Sequence, residues 1–248
     1  MEKMKDYIKY EVWEDYWCFK PVHQLDLSKF QKLDYTSWTE HEQIQIRIES
    51  NESQISPNPY QIQTLNYIDN NEDKIIEAIF DYYQKVILPV FKEATDIEEN
   101  EIANNQSELS RVFGIRGIEI PEFNDSDSNY YLIEFDFRYD SEHGLYILFD
   151  NLNPIDFFGE GDKNYDAISF YQNGLKNNNG EPIKVNLYEL NGETVFQEYY
   201  HYDELINFDL KKGTYRAFVT WNTMEICRNF YVPNDVKEFT LKEIFTYK

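Results

Sequence analysis

The segment YYLIEFDFRYDSEHGLYILFDN, residues 130–151, constrains the fold more than any other part of the chain. Two runs in which apolar and polar side chains alternate flank a short polar group, and such alternation is the pattern of a half-buried β-strand. Gly144 can adopt the backbone conformation that a tight connection needs. We therefore expect a β-hairpin with its turn at residues 140–144, in which His143 is hydrogen-bonded to a neighbouring acid or to the backbone.

The first 160 residues predict strands and two helices. Asn58-Pro59 is a helix-start signal, with Asn58 as N-cap, so a helix over 59–69 is expected. A longer helix over about 72–93 carries one apolar stripe, and Pro89 should kink or end it. Residues 95–109 are polar and acidic, which favours a surface loop. Strands are expected at 11–19, 43–48, 110–120, 129–139, 144–150 and 152–158.

Short connections between consecutive strands favour an antiparallel β meander, and the two helices are expected to pack across one face of it. The sequence changes character after Gly159, and residues 161–248 predict short strands separated by turn-forming residues. Even spacing of short strands is typical of a small β-sandwich. The predicted fold class is therefore α+β, with an acidic α+β domain at 1–160 and a β-sandwich-like domain at 161–248. Strands of this second domain are expected at 166–171, 183–189, 194–200, 205–210, 214–220 and 226–232, with a strand or short helix at the end.

Charge divides unevenly between these two parts. The chain has 46 acidic and 23 basic residues, and residues 1–160 hold 33 of the acids but only 13 of the bases. A net charge of -23 argues against nucleic acid or an anionic membrane as partner, because both are also negative. It suits a basic protein partner, or it serves solubility alone. Only two cysteines occur, with no C-x-x-C pair, and the sequence has no signal peptide pattern, so a cytoplasmic location is expected.

Acidic residues are concentrated around the hairpin, and clustered like charges lower stability unless something neutralises them. We expect a partner to do so, by binding the carboxylates of this region. No phosphate-binding loop, no G-x-S-x-G motif and no zinc motif is present, so no catalytic residues, metal or cofactor are expected. Asp125 and Asp127 begin like a calcium loop, but Tyr130 stands where that loop needs glycine. The predicted partner-binding residues are Asp125, Asp127, Glu134, Asp136, Asp140 and Glu142, with His143 and Gly144 structural.

The motif D-S-E-H-G-L, residues 140–145, resembles the D-x-E-H-G-[LI] motif of a group of uncharacterised bacterial domains. A helical segment precedes it in those domains, and the matching residues here are Gln63, Leu65, Asn70, Ile75, Ile76 and Ile79. The resemblance covers about residues 10–160 and includes Asp140, Glu142, His143 and Gly144. Such domains are similar to immunity proteins encoded beside polymorphic toxins. The resemblance implies a non-enzymatic protein that covers the active site of a basic, nuclease-like toxin.

Two other hypotheses remain open at this point. The β-rich second part could belong to a structural or adhesive protein, since its strands resemble those of immunoglobulin-like surface modules. A metal-dependent hydrolase could instead use Asp136, Asp140, Glu142 and His143. The structural or adhesive hypothesis places the function on the second domain, and the hydrolase hypothesis places it at the hairpin.

Overall fold

The structure is a computed structural model that describes residues 7–13, 16–21, 44–49, 56–122, 128–159, 182–201, 204–221 and 224–241. Its fold is α+β, as the sequence predicts. The chain divides into two compact units, one of residues 1–81 with 97–161 and the other of residues 82–96 with 162–248. The predicted strand at 166–171 lies outside the described residues.

The first unit contains seven of the strands and the start of the helical region. Its strands are β1 (Tyr7–Trp13), β2 (Tyr16–Pro21), β3 (Gln45–Glu49), β4 (Phe113–Ile120), β5 (Tyr130–Phe137), β6 (Asp140–Asp150) and β7 (Asn153–Phe158). Its helices are α1 (Pro59–Asp69) and α2 (Glu72–Tyr82) as far as Asp81, whereas the π-helical turn at Tyr83–Ile87 and α3 (Leu88–Ala94) belong to the second unit. The acidic loop expected at 95–109 contains two 3₁₀ turns, Glu99–Glu101 and Gln106–Arg111.

The seven strands form one sheet in which spatial order follows chain order. All neighbouring strands are antiparallel except β3 and β4, which are parallel. The antiparallel meander expected for strands joined by short loops is present from β4 to β7, whereas the parallel pair of β3 and β4 is joined by the helical region. The long helical connection makes the parallel pairing possible, because a crossover carries the chain from the end of β3 back to the end of the sheet at which β3 began. The apolar side of β5 packs within the core, where Tyr131 stacks on Phe149 at 4.9 Å between ring centroids.

Helix α1 begins where the sequence predicts. The side chain of Asn58 accepts a hydrogen bond from the backbone N–H of Gln61, and the Gln61 side chain accepts one from the N–H of Asn58. This capping box satisfies two of the backbone donors that a helix start leaves without partners. Gln61 also donates from its amide nitrogen to the carbonyl of Glu49 at 2.7 Å, which ties the helix start to the end of β3.

The helix over 72–94 passes through Pro89 rather than ending there. Proline has no N–H, so the carbonyl of Lys85, four residues earlier, loses its usual helical donor. The hydroxyl of Thr214 in β11 (Gly213–Trp221) donates to that carbonyl at 2.7 Å. The π-helical turn immediately before Leu88 accommodates the change in backbone hydrogen bonding.

The second unit has two sheets. One is four-stranded, in the order β12 (Met224–Val232), β11, β8 (Ile183–Glu189) and β9 (Thr194–Tyr200), and the other consists of β10 (Leu205–Leu210) and β13 (Val236–Thr240). Phe196 of β9 contacts Phe208 of β10 at 5.3 Å and Phe239 of β13 at 6.2 Å between ring centroids, so aromatic packing joins the two sheets. Of the C-terminal segment expected to form a strand or a short helix, residues 236–240 form the strand β13.

Candidate functional site

The hairpin expected at 130–151 is present, but its turn is elsewhere. Phe137 pairs directly with Asp140, so the connection is the two residues Arg138 and Tyr139. The next pair joins Phe135 to Leu145, which leaves residues 141–144 opposite a single residue of β5. The expectation of a turn at 140–144 is therefore wrong, and these residues form a bulge at the start of β6, here called the Asp140–Gly144 bulge.

Gly144 makes the Asp140–Gly144 bulge possible. Its φ angle is +66°, in the left-handed region, and a Cβ atom there would lie 2.7 Å from the backbone oxygen of Phe135. No other residue meets both conditions without strain. The conformational freedom of Gly144 is thus needed as predicted, for the return to the ladder at Leu145 rather than for a turn.

His143 and Asp140 are linked across the bulge. The Nδ1 atom of His143 lies 3.0 Å from Oδ1 of Asp140, and the backbone N–H of His143 donates to the same oxygen at 3.2 Å. This confirms the local hydrogen bond expected for His143. The His143 side chain is 59% exposed and that of Asp140 34%, so both reach solvent, and Glu142 is exposed as well.

Glu134 and Asp136 do not lie on the surface. They are 4% and 7% exposed, and their carboxylates meet arginines from neighbouring strands. Arg116 of β4 lies between them, 3.1 Å from Glu134 and 3.5 Å from Asp136. Arg47 of β3 contacts the other oxygen of Glu134, and its Nε lies 3.6 Å from the carboxylate of Glu119. We call Arg47, Arg116, Glu119, Glu134 and Asp136 the buried ion cluster.

This cluster corrects the electrostatic argument drawn from the sequence. The expectation that Glu134 and Asp136 need a partner to neutralise them is wrong, because Arg47 and Arg116 supply the opposite charge within the chain. Burial alone would raise the pKa of Glu134, but the charges of Arg47 and Arg116 outweigh it and hold that pKa below its ordinary value. Glu134 is therefore a structural anion.

Gly117 provides the space for the cluster. A Cβ atom on Gly117 would lie 3.0 Å from the carbonyl oxygen of Gln45 and within 3.7 Å of the Arg47 guanidinium and the Glu134 carboxylate. Sequence reasoning missed both arginines. Arg47 stands on the polar side of the QIQIRI strand and Arg116 in the next one, but their meeting depends on the parallel register of β3 and β4.

Three of the acidic residues that face solvent in the described part of the chain form a row on α2. Asp73, Glu77 and Asp81 are exposed and stand four residues apart, so they share one side of the helix. We call them the α2 acidic ridge. Sequence reasoning missed it as well, although the four-residue spacing opposite the apolar stripe was a usable signal. The predicted residues Asp125 and Asp127 lie outside the described residues.

A groove lies beside the α2 acidic ridge, between α2 and the 3₁₀ turn Gln106–Arg111. Its volume is about 640 Å³, within the range of pockets that take a ligand or a partner side chain. We call it the α2 groove, and it is lined by Asp73, Lys74, Ile76, Glu77, Gln106, Ser107 and Ser110.

Comparison with known families gives a match over residues 14–164, more than half of the chain, to a domain of unknown function, DUF6985. The chain belongs to the DUF6985 family. No curated protein and no solved structure matches it. The matched span contains strands β2–β7 of the seven-stranded sheet, the buried ion cluster, the Asp140–Gly144 bulge and the α2 groove. Strands β8–β13 lie outside the DUF6985 match.

Three further findings concern metal binding, the hydrolase hypothesis and membrane-spanning helices in this DUF6985 protein. Among the residues that the structure describes, no group of three or more His, Cys, Asp or Glu side chains is arranged to hold a metal ion. Asp136, one of the four residues of the hydrolase hypothesis, is buried and ion-paired to Arg116. No helix within the described ranges is both long and apolar enough to span a membrane.

Proposed function

We propose that this DUF6985 protein is a non-enzymatic immunity protein of the bacterial cytoplasm. It binds a basic, nuclease-like toxin and covers the toxin's active site. The observation that carries the proposal is the excess of 20 acidic over basic residues in 1–160, with carboxylates exposed on the α2 acidic ridge and at Asp140 and Glu142.

The buried ion cluster sharpens this proposal by removing residues from the contact surface. Glu134 and Asp136 are neutralised internally, so binding depends on the exposed acids instead. Like charges four residues apart on a helix cost about 0.2–0.5 kcal/mol per pair. The α2 acidic ridge contains two such pairs, Asp73–Glu77 and Glu77–Asp81, which repel each other. A positively charged partner would relieve that repulsion.

Electrostatic attraction also suits the task of an immunity protein, which must reach its target before the target acts. Complementary charge raises association rates well above those of neutral surfaces, by roughly 10–1,000-fold. Complementary charge raises the association rate more than it raises the affinity, so apolar contacts must stabilise the bound complex. The proposal therefore combines fast, charge-driven encounter with tighter packing in the final complex.

The test reads the neighbouring gene for a toxin with a basic C-terminal domain, as the proposal predicts, and measures binding of that domain. Reversing Glu77 and Glu142 to lysine is expected to raise the Kd at least about tenfold, equivalent to ~1.4 kcal/mol. The control reverses Glu193 and Glu238, two exposed acids of the second unit that change the net charge equally. Equal weakening by both pairs, or no binding of the unaltered protein, would refute the proposal.

A second candidate is supported by the four-stranded sheet of the second unit. Its buried side presents Val185, Leu187, Ala217 and Val219, while the alternate residues lie half-buried on the other side. Those residues include cations and aromatic rings, and Tyr199 beside Lys184 is 65% exposed. Tyrosine, phenylalanine and arginine are enriched at protein interfaces. The outward residues are Lys184, Asn186, Tyr188, Arg216, Phe218 and Thr220.

That surface would suit the structural or adhesive hypothesis, in which the β-rich unit mediates assembly. Sedimentation velocity across a range of concentrations tests it, with Tyr199→Ser and Arg216→Ser compared with the unaltered protein. Concentration-dependent assembly that both variants lose would favour this candidate. A monomer at all concentrations would count against self-assembly.

A further inference from the structure

The α2 groove differs from the rest of the acidic surface because it is concave and has walls of different chemistry. One wall is α2, which contributes the exposed carboxylates of Asp73 and Glu77. The opposite wall is the 3₁₀ turn Gln106–Arg111, which contributes the hydroxyls of Ser107 and Ser110. Ile76 provides an aliphatic surface between the polar groups.

Charges on the two walls are unequal. Lys74 is the one cation among the lining residues, against two carboxylates. On the 3₁₀ turn, Glu108 lies 3.7 Å from Arg111 and accepts a hydrogen bond from the backbone of Asn104 at 2.9 Å. Glu108 and Arg111 thus compensate each other locally, and the carboxylates of α2 set the sign of the groove.

We propose that the α2 groove receives an arginine side chain from the basic partner, an inference that rests on the proposed function. The guanidinium has five N–H donors in a fixed plane, and the groove offers carboxylate acceptors on the α2 wall and hydroxyl acceptors on the 3₁₀ wall. The aliphatic part of the arginine packs on Ile76. Arginine suits acceptors on two walls better than lysine, because its planar guanidinium presents five donors in fixed directions and an ammonium is a compact point charge.

The test uses three short peptides, acetyl-Gly-Ser-Xaa-Ser-Gly-amide, in which Xaa is arginine, citrulline or lysine. Citrulline keeps the shape of arginine but is neutral. Binding is followed by NMR through the backbone amides of Gln106, Ser107 and Ser110. The arginine peptide is expected to shift these three amides in a saturable way, with a Kd at least about threefold lower than that of the lysine peptide and at least about tenfold lower than that of citrulline.

A matched pair of variants assigns the effect to the groove. Glu77→Gln removes a lining carboxylate, and Glu93→Gln removes an exposed carboxylate of α3 that is not among the lining residues. Glu77→Gln is expected to raise the Kd for the arginine peptide at least about threefold, with Glu93→Gln changing it by less than about 1.5-fold. Both substitutions preserve helix propensity.

Several results would overturn the inference. Equal effects of the two variants would mean that only net charge matters, and equal binding of citrulline would mean that charge does not. Shifts spread over other surfaces, with none at Ser107 or Ser110, would exclude the groove. The proposed function fails separately, if the neighbouring toxin domain is not bound. If that domain binds equally well to Glu77→Gln and Glu93→Gln, the function stands and the groove assignment falls.

Discussion

At the scale of single residues, the decisive feature is Glu134. Its carboxylate lies within the sheet between Arg47 and Arg116, and each arginine comes from a different strand. A buried ion pair contributes little relative to a well-packed apolar pair, yet removing one member leaves an uncompensated buried charge. The buried ion cluster therefore links side chains of β3, β4 and β5, and the charge of Glu134 is compensated within the chain.

Replacing Glu134 by glutamine should lower the free energy of unfolding by about 3 kcal/mol, since two guanidinium groups lose their shared counter-charge. Glu142→Gln, on the exposed side of the Asp140–Gly144 bulge, is the control and should change it by less than about 0.5 kcal/mol. Urea unfolding followed by circular dichroism measures both. Similar losses for the two variants would show that the cluster does not stabilise the fold.

The pH dependence of stability follows from the same residue. The pKa of Glu134 in the folded protein lies below its ordinary value of 4.5, because the arginine charges outweigh burial. The contribution of Glu134 to the free energy of unfolding is therefore complete at pH values above its pKa in the unfolded chain. It is lost as the pH falls through its pKa in the folded protein. Urea titrations between about pH 3 and pH 6 should show a steeper loss of stability for the unaltered protein than for Glu134→Gln. Parallel curves would contradict this assignment.

At the scale of elements, the sequence predicts well what depends on neighbouring residues. Strands expected at 183–189, 194–200 and 205–210 have those bounds in the structure, because alternation and flanking turn residues are local signals. The start of α1 at Pro59 follows from its capping residues in the same way. The sequence left open whether Pro89 kinks or ends the helix, because the continuation involves Thr214, more than a hundred residues away.

Thr214→Val tests that interaction. Valine keeps the shape of threonine but cannot donate to the carbonyl of Lys85, so the free energy of unfolding should fall by about 1–2 kcal/mol. Thr220→Val is the control from the same strand, because its hydroxyl bonds only to the exposed carboxylate of Glu225 in the contacts described. If Thr220→Val loses as much stability as Thr214→Val, the hydrogen bond from Thr214 to the Lys85 carbonyl does not stabilise the fold.

The candidate site was less predictable than the elements, for a related reason. The D-x-E-H-G motif indicated a turn, but one residue of β5 opposes four of β6, and only the pairing of both strands reveals a bulge. Glu134 and Asp136 alternate correctly with apolar neighbours, which indicated an exposed face. Their burial depends on Arg47, 87 residues before Glu134 in the chain, and no local pattern encodes that contact.

At the scale of the whole molecule, the separation of charge is the property that the proposed function explains. Residues 1–160 carry a net charge of -20 and residues 161–248 one of -3. Charge that served solubility alone would have no reason to be confined to one part. The buried ion cluster accounts for some of the acids, and the α2 acidic ridge, Asp140 and Glu142 place others at the surface.

The most direct test is the rate at which this protein associates with the basic toxin domain that we propose as its partner, measured by stopped-flow fluorescence at about 50 mM and about 500 mM NaCl. Attraction between opposite charges is screened by salt, so the rate constant should fall at least about tenfold at the higher concentration, while the dissociation rate changes little. An association rate that is the same at both salt concentrations would contradict the claim that exposed carboxylates guide a basic partner to the protein.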